Sequence, residues 1–315
     1  MLLTGVCQHC FKRQILKVGA ARRFSVTQRV LTNGKNTAAQ YILNRVRTYD
    51  YQSYLMCLLS PKAFRQSLFV VHAYNVELSL VLELASERKA SAGRFAFWTA
   101  ALDAIYDGSR PYDHPVVQQL AALHSRGLIN SQQTKHSLYQ MLNSRREFST
   151  LTHVDTLTQL ETYAEHTQSS LLLLALAFAQ QSTVDSDHAA SHLGRCGGLL
   201  NALRATPYLT SRNQLLLPQD VLSKHGVSQT DVLRGRDVVT EPVYEIASTA
   251  HSHLETANGI ISRLPKEASR CFLLARIYAY QLEQLQLCDF NIFHSKFQKK
   301  DRLLAWRMWK ARRSL

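Results

Sequence analysis

The sequence predicts an all-α fold, and three observations carry that expectation. Apolar residues recur at helical spacing through almost every long segment. No run alternates apolar and polar residues as a half-buried strand would. The strongest breakers, Pro61, Pro265 and the Asp107-Gly108-Ser109 turn, stand between the periodic segments. In chain order, residues 41–59 read as a first helix. Pro61, favoured at a helix start, opens a second running to about Glu87. Residues 91–106 and 114–128 follow, the latter closed by Gly127. Residues 131–148 are polar and charged over much of their surface, as an outer helix should be. Residues 153–181 read as one long helix. Its apolar stretch, residues 171–179, is far shorter than the roughly 20 residues needed to cross a bilayer. Residues 243–264 and 266–289 close the set, separated by Pro265.

A hydrophobic content of 46% is ample for a packed core. No Ser/Gly-rich linker divides the chain, so residues 50–295 read as one helical domain behind a leader. The six cysteines, Cys7, Cys10, Cys57, Cys196, Cys271 and Cys288, are scattered. That placement suits reduced thiols in a core better than a disulfide framework. The net charge of +14 sits at the two ends. Residues 1–49 hold nine Lys or Arg and no acid, and residues 296–315 hold eight against Asp301. The domain between is near neutral, so the basic pI does not indicate nucleic-acid binding, and no motif for it is present.

Residues 1–24 have the composition of a mitochondrial presequence: cationic, acid-free, with Arg, Lys and small apolar residues. Arg22-Arg23-Phe24-Ser25 resembles a matrix-protease site, with cleavage expected after Phe24. Residues 25–49 are then a basic linker and the start of the first helix. Cys7-x-x-Cys10 lies inside the leader and lacks further metal ligands.

Two stretches carry the chemistry. The first is Leu58-Leu59-Ser60-Pro61, Arg65 and residues 67–75, reading SLFVVHAYN. The second is Gly197-Gly198-Leu199-Leu200-Asn201-Ala202-Leu203-Arg204, continuing to Leu217-Pro218-Gln219-Asp220. Both resemble the squalene and phytoene synthase family in spacing and flanking residues, and the likeness covers residues 50–295. The resemblance implies an isoprenoid-synthase-type bundle around a central cavity. In active members, each of two helices carries a DxxxD-type cluster that holds magnesium against a substrate diphosphate. Here the first cluster falls on Ser79-Leu80-Val81-Leu82-Glu83 and the second on Ala205-Thr206-Pro207-Tyr208-Leu209. Gln214 and Leu216 stand where the family has arginine and tyrosine.

The chemistry argues the same way. Ionising a diphosphate needs Mg²⁺ held by carboxylates, and acids four apart on a helix share the face that grips it. Only Glu83 offers one, and residues 188–219 contain no Asp or Glu. The wording of residues 73–78, 163–170, 187–192 and 203–208 is closer to one branch of the family, that of mitochondrial complex I assembly. That branch implies a non-enzymatic matrix-side protein, peripheral to the inner membrane, with complex I subunits or assembly intermediates as partners and no cofactor or metal.

His72, Asn75, Ser79 and Glu83 form one polar stripe on an apolar helix. With Asn201, Arg204, Ala205 and Tyr208 they define a vestigial pocket. It reads as an internal hydrogen-bonded seam or as a site where Arg204 holds a phosphate or lipid headgroup; an ion pair from Arg204 to Glu83 or Glu77 is the structural alternative. His188 and His192 have ligand spacing but no third ligand, so a surface or capping role is expected. Gly194, Gly197 and Gly198 are expected to allow close helix packing. Residues 296–315 read as a basic amphipathic helix with Leu304, Ala305, Met308 and Trp309 on one side and Lys299, Lys300, Arg307 and Lys310 mostly opposite. Arg312 falls on the apolar side. With Trp306 and Trp309, this composition suits an anionic membrane surface. The readings from other classes are a prenyl-transferase or lipid-modifying enzyme with a repurposed site, and an isoprenoid or lipid carrier.

Overall fold

The structure, a computed structural model, describes residues 38–84, 88–234, 239–299 and 301–313. The predicted presequence with its cleavage point, most of the basic linker and Lys300 lie outside the described residues, as does the side chain of Glu83. The described residues form a helical bundle without strands.

The expected first helix is two, α1 (Ala38–Tyr49) and α2 (Tyr51–Leu59). The division falls at Asp50, whose carboxylate accepts the Ser53 N–H at 3.0 Å and so caps α2. α3 (Lys62–Leu84) is buried on nearly every side, α4 (Arg88–Tyr106) follows, and α5 (Pro115–Ser125) starts on Pro115 behind its cap His114. α6 (Gln132–Phe148) is capped by Ser131. It is less of an outer helix than its composition suggests, because Leu138, Met141, Leu142 and Arg145 all face inward.

The long helix expected over residues 153–181 begins later, at Thr156's cap, and changes winding partway. α7 (Leu157–Ala164) passes through a π-helical turn at Glu165–Ser169 into α8 (Ser170–Ala179). α9 (Val184–Thr210) opens with a Thr183–Ser186 capping box and is the spine of the bundle. It packs along α12 (Thr240–Ile261) and against α7 with the π turn. Glycines of α9 allow close approach to α7, the π turn and the later helix that carries Tyr278. A Cβ on Gly194 would strike Ser169, one on Gly198 would strike Ala164, and one on Gly197 would come within 2.6 Å of the Tyr278 ring.

Two short helices, α10 (Gln219–Lys224) and α11 (Gln229–Leu233), precede α12. The helix expected over residues 266–289 is divided into α13 (Lys266–Ser269), a 3₁₀ turn at Arg270–Phe272, and α14 (Leu274–Gln286). The C-terminal basic helix is likewise shorter than expected. α15 (Ser295–Gln298) ends at Lys299 in extended conformation, and α16 (Leu304–Arg313) follows, packed on α2 and α14. Cys57, Cys196, Cys271 and Cys288 are free and buried in this core. No described helix is long and apolar enough to cross a membrane.

Candidate functional site

The polar stripe of α3 is internal. His72, Asn75 and Ser79 are all buried. The Ser79 hydroxyl turns back and donates to the Val76 carbonyl at 2.8 Å. Asn75 meets a residue that sequence reasoning missed: Arg145 of α6, whose Nη2 donates to Asn75 Oδ1 at 2.6 Å. Arg145 is 2% exposed, and its Nε and Nη1 have no partner, nor does Asn75 Nδ2 or His72 Nδ1. Burial lowers the Arg145 pKa, and burial holds His72 down at about 4, a neutral imidazole at physiological pH. The signal that would have found Arg145 is its spacing. It follows Leu138, Met141 and Leu142 at i, i+3, i+4 and i+7, on the apolar face of α6.

The α9 residues of the predicted pocket have contacts of their own. Ala205 and Tyr208 are half-buried, packed against the core, with the Arg212 guanidinium 4.8 Å from the Tyr208 ring centroid. Pro207 sits inside the last turn of α9, and Thr206 folds back onto the Ala202 carbonyl at 2.9 Å. Asn201 is half-buried one turn before Ala205. Arg204's charge acts on Asp50. Burial pushes Asp50 up to about 6, opposed by the Ser53 hydrogen bonds and the Arg204 field. Glu77, one of the two expected partners of Arg204, is engaged otherwise. It pairs with Arg45 at 2.8 Å and accepts the Tyr41 hydroxyl at 2.7 Å, tying α1 to α3.

Arg204 lines a groove of about 580 Å³ between the α1–α2 junction, α14, and residues 296–299 and 301–304. Ile277, Tyr280, Phe297 and Leu304 supply its apolar wall, and Gln281 donates across it to Gln52 at 3.1 Å. Its lining contains five basic side chains, Arg47, Arg204, Lys296, Lys299 and Arg302, and one acid, Asp301. None of His72, Asn75 and Ser79 lines it. Of the eight residues predicted to form one pocket, His72, Asn75 and Ser79 thus belong to the buried stripe of α3, where Asn75 meets α6, and Arg204 lines this groove.

Beside the groove, α16 is turned differently from its expected orientation. Met308 and Ala311 are its buried contacts. Arg307, assigned by sequence to the solvent side, lies over the Tyr280 ring at 3.9 Å and pairs with Asp301 at 3.0 Å. Trp309, grouped by spacing with Leu304, Ala305 and Met308 and a candidate for a membrane surface, is 42% exposed, and Trp306 is 52% exposed. Arg313 covers the Trp309 ring at 3.8 Å, and Lys310 lies 5.5 Å from that of Trp306. Arg312, expected on the apolar side, is exposed, and Lys299 precedes the helix instead of riding on it.

His188 is exposed on α9, whereas His192 joins His253 of α12 through their Nδ1 atoms at 2.9 Å. His253 Nε2 reaches Glu161 of α7 at 2.6 Å. This chain ties three helices together. Among the described residues no cluster of three or more His, Cys, Asp or Glu has the geometry to hold a metal ion.

Comparison with known proteins follows the same outline. A family model described as squalene/phytoene synthase matches residues 46–310. The chain is 40% identical over 266 residues to a Rattus norvegicus protein named NADH dehydrogenase (ubiquinone) complex I, assembly factor 6, covering 84% of this chain and 78% of that protein. A Bos taurus protein of the same name is 36% identical over 273 residues, covering 86% and 80%. Among solved structures, the squalene synthase HpnC from Alicyclobacillus acidocaldarius superposes with a TM-score of 0.70 at 13% identity, over 81% of this chain and 95% of that one, a likeness of fold. The chain belongs to the squalene/phytoene synthase family.

Proposed function

We propose that this protein is a non-enzymatic assembly factor for mitochondrial complex I, built on a prenyl-synthase scaffold that no longer holds magnesium. The observation that carries the reading is its 40% identity, over most of both chains, to a relative named a complex I assembly factor. The replaced clusters support it. Ser79 stands at the first acid position with its hydroxyl spent on the Val76 carbonyl. Ala205 and Leu209 stand at the ends of the second, where carboxylates four apart would be needed to grip an ion. The residues present at these positions do not fit the family's metal site, because Ala205 and Leu209 offer no carboxylate. The basic, acid-free leader fits import into mitochondria. The exposed tryptophans and cations of α16 fit a peripheral position on the matrix face of the inner membrane.

The competing readings are a prenyl-transferase or lipid-modifying enzyme with a repurposed site, and an isoprenoid or lipid carrier. The deciding experiment measures complex I content and isoprenoid turnover in cells lacking the protein, rescued with the wild type or with a Glu83→Ala, Arg204→Ala double variant. Full restoration of complex I by the double variant, with isoprenoid turnover unaffected throughout, is the expected result. A folded, imported double variant that fails to restore it would sink the non-enzymatic scaffold reading in favour of a working site.

A further inference from the structure

The seam between α3 and α6 holds more hydrogen-bond donors than it can use. Arg145, Asn75 and His72 are 2%, 1% and 3% exposed, closed off from bulk water. The bond from Arg145 Nη2 occupies the Asn75 oxygen. Left over are Arg145 Nε and Nη1, Asn75 Nδ2 and His72 Nδ1, none with a partner among the described residues. His72 lies one turn before Asn75 on the same face of α3, and the guanidinium nitrogens belong to one planar group, so these atoms are gathered in one place. Buried polar atoms are nearly always satisfied, and four together call for a common partner.

That partner must accept hydrogen bonds. Arg145 Nε and Nη1 and Asn75 Nδ2 offer only N–H groups, and His72, neutral at physiological pH, donates from Nδ1 in one of its two tautomers. The partner must also carry negative charge. The guanidinium stays protonated, and no carboxylate is among its described partners. Glu77, the acid nearest to Asn75 along α3, is committed to Arg45 and Tyr41. Glu147, two residues beyond Arg145, is exposed. The described groups that act on the guanidinium electrostatically are the phenols of Tyr163 and Tyr74, and Tyr74 donates its hydroxyl to the Leu138 carbonyl at 3.2 Å. Water is a poor candidate. It would accept two of the N–H groups, but of the four atoms His72 Nδ1 alone is able to take a proton from it, and the charge would stay without a counter-charge.

We infer that this seam binds one small monovalent anion, a halide, held by Arg145 Nε and Nη1, Asn75 Nδ2 and His72 Nδ1. The size follows from the surroundings. Val71, Tyr74, Leu138, Met141 and Leu142, from the same two helices, are all core side chains. A close-packed interior admits an atom-sized guest more readily than a polyatomic one. Chloride in this position is the counter-ion that the chain itself does not provide, and it fastens α3 to α6.

The test follows thermal unfolding of the full chain at constant ionic strength while chloride replaces gluconate, an anion too large for a closed seam. The wild-type midpoint is expected to rise by a few degrees for each tenfold increase in chloride once the site is filling, with bromide acting alike. Arg145→Met should abolish that dependence. Arg145→Lys, which keeps the charge and loses the planar fork, should need about tenfold more chloride for the same shift. Gluconate leaves Arg145 without a counter-ion, so any gain in stability from Arg145→Met is expected to be greatest there. A midpoint indifferent to chloride, or a dependence equal in the wild type and Arg145→Met, overturns the site. An Arg145-dependent response to formate larger than that to chloride assigns the seam to a carboxylate and overturns the halide. Crystals grown with bromide give a reading that needs no variant. An anomalous peak among Arg145, Asn75 and His72 is expected, and a seam holding only water there overturns the inference.

Discussion

At Arg145 a full positive charge lies inside the bundle with one neutral acceptor, Asn75, and no carboxylate among its described partners. Removing a charge from water is expensive, and only a well-paired ion recovers that loss. Arg145→Met should therefore raise the unfolding free energy, by about 1–4 kcal/mol in chemical denaturation. Asn75→Ala should lower it by about 1–3 kcal/mol, because the guanidinium loses its hydrogen bond. Two other buried groups set opposing pH dependences. His72 titrates near 4 when folded, below its ordinary 6.5, so the unfolded chain binds more protons between those values. Its contribution is complete above pH 6.5 and is lost toward pH 4, at up to about 1.4 kcal/mol per pH unit. Asp50 is raised from 3.8 to about 6, so the folded chain binds more protons between those values, and stability rises as pH falls through that window. Denaturation midpoints of the wild type should vary little between pH 4 and 6 from these two groups. Against that baseline His72→Leu should gain stability on acidification and Asp50→Asn should lose it. The α3 stripe was legible in the sequence because its polar residues interrupt an apolar helix. Arg145 was not, because α6 has so many charges on its surface that one turned inward does not stand out.

On the scale of helices, α9 owes its position to glycine. Gly198→Val would drive a side chain into the Ala164 backbone and Gly197→Ala would meet the Tyr278 ring, so each should destabilise by about 1–3 kcal/mol or more. A Cβ on Gly259, in α12, would meet nothing within 4 Å. Gly259→Ala should therefore stabilise by about 0.5–1 kcal/mol, through helix propensity alone. Thermal unfolding of the set checks the contrast in sign. Helix identity was readable from spacing, and the three glycines of α9 from their clustering. The interruptions were harder. The cap at Asp50 depends on a side chain choosing the Ser53 amide. The π turn at Glu165–Ser169 follows no local sequence rule. It sits where Ser191 and Arg195 of α9 both bind the Glu165 carboxylate, at 2.6 Å each, so tertiary packing decides it. The same holds for α16, where helical spacing alone puts Trp309 on one side with Met308 and Arg307 mostly opposite. Met308 and Ala311 fill the contact instead, and the Tyr280 ring gives Arg307 a partner that no linear reading supplies.

Over the molecule as a whole, the positive charge is gathered along the sequence at the two termini, and part of the C-terminal share, Lys296, Lys299 and Arg302, lines the groove beside α16. If the proposed membrane-surface role holds, vesicle association weakens as salt is raised through the range where surface charges are screened, a dependence that flotation at graded ionic strength would read. The four core thiols have a use of their own. Burial raises Cys57, Cys196 and Cys271 above the ordinary thiol range, Cys271 to about 12, and none of the four is more than 6% exposed. An alkylating reagent can reach them only when the surrounding helices part. They are distributed over α2, α9, the 3₁₀ turn and the end of α14, so the order in which they acquire label is a map of which part of the bundle opens first. The protein thus carries an intrinsic set of clocks for its own breathing motions.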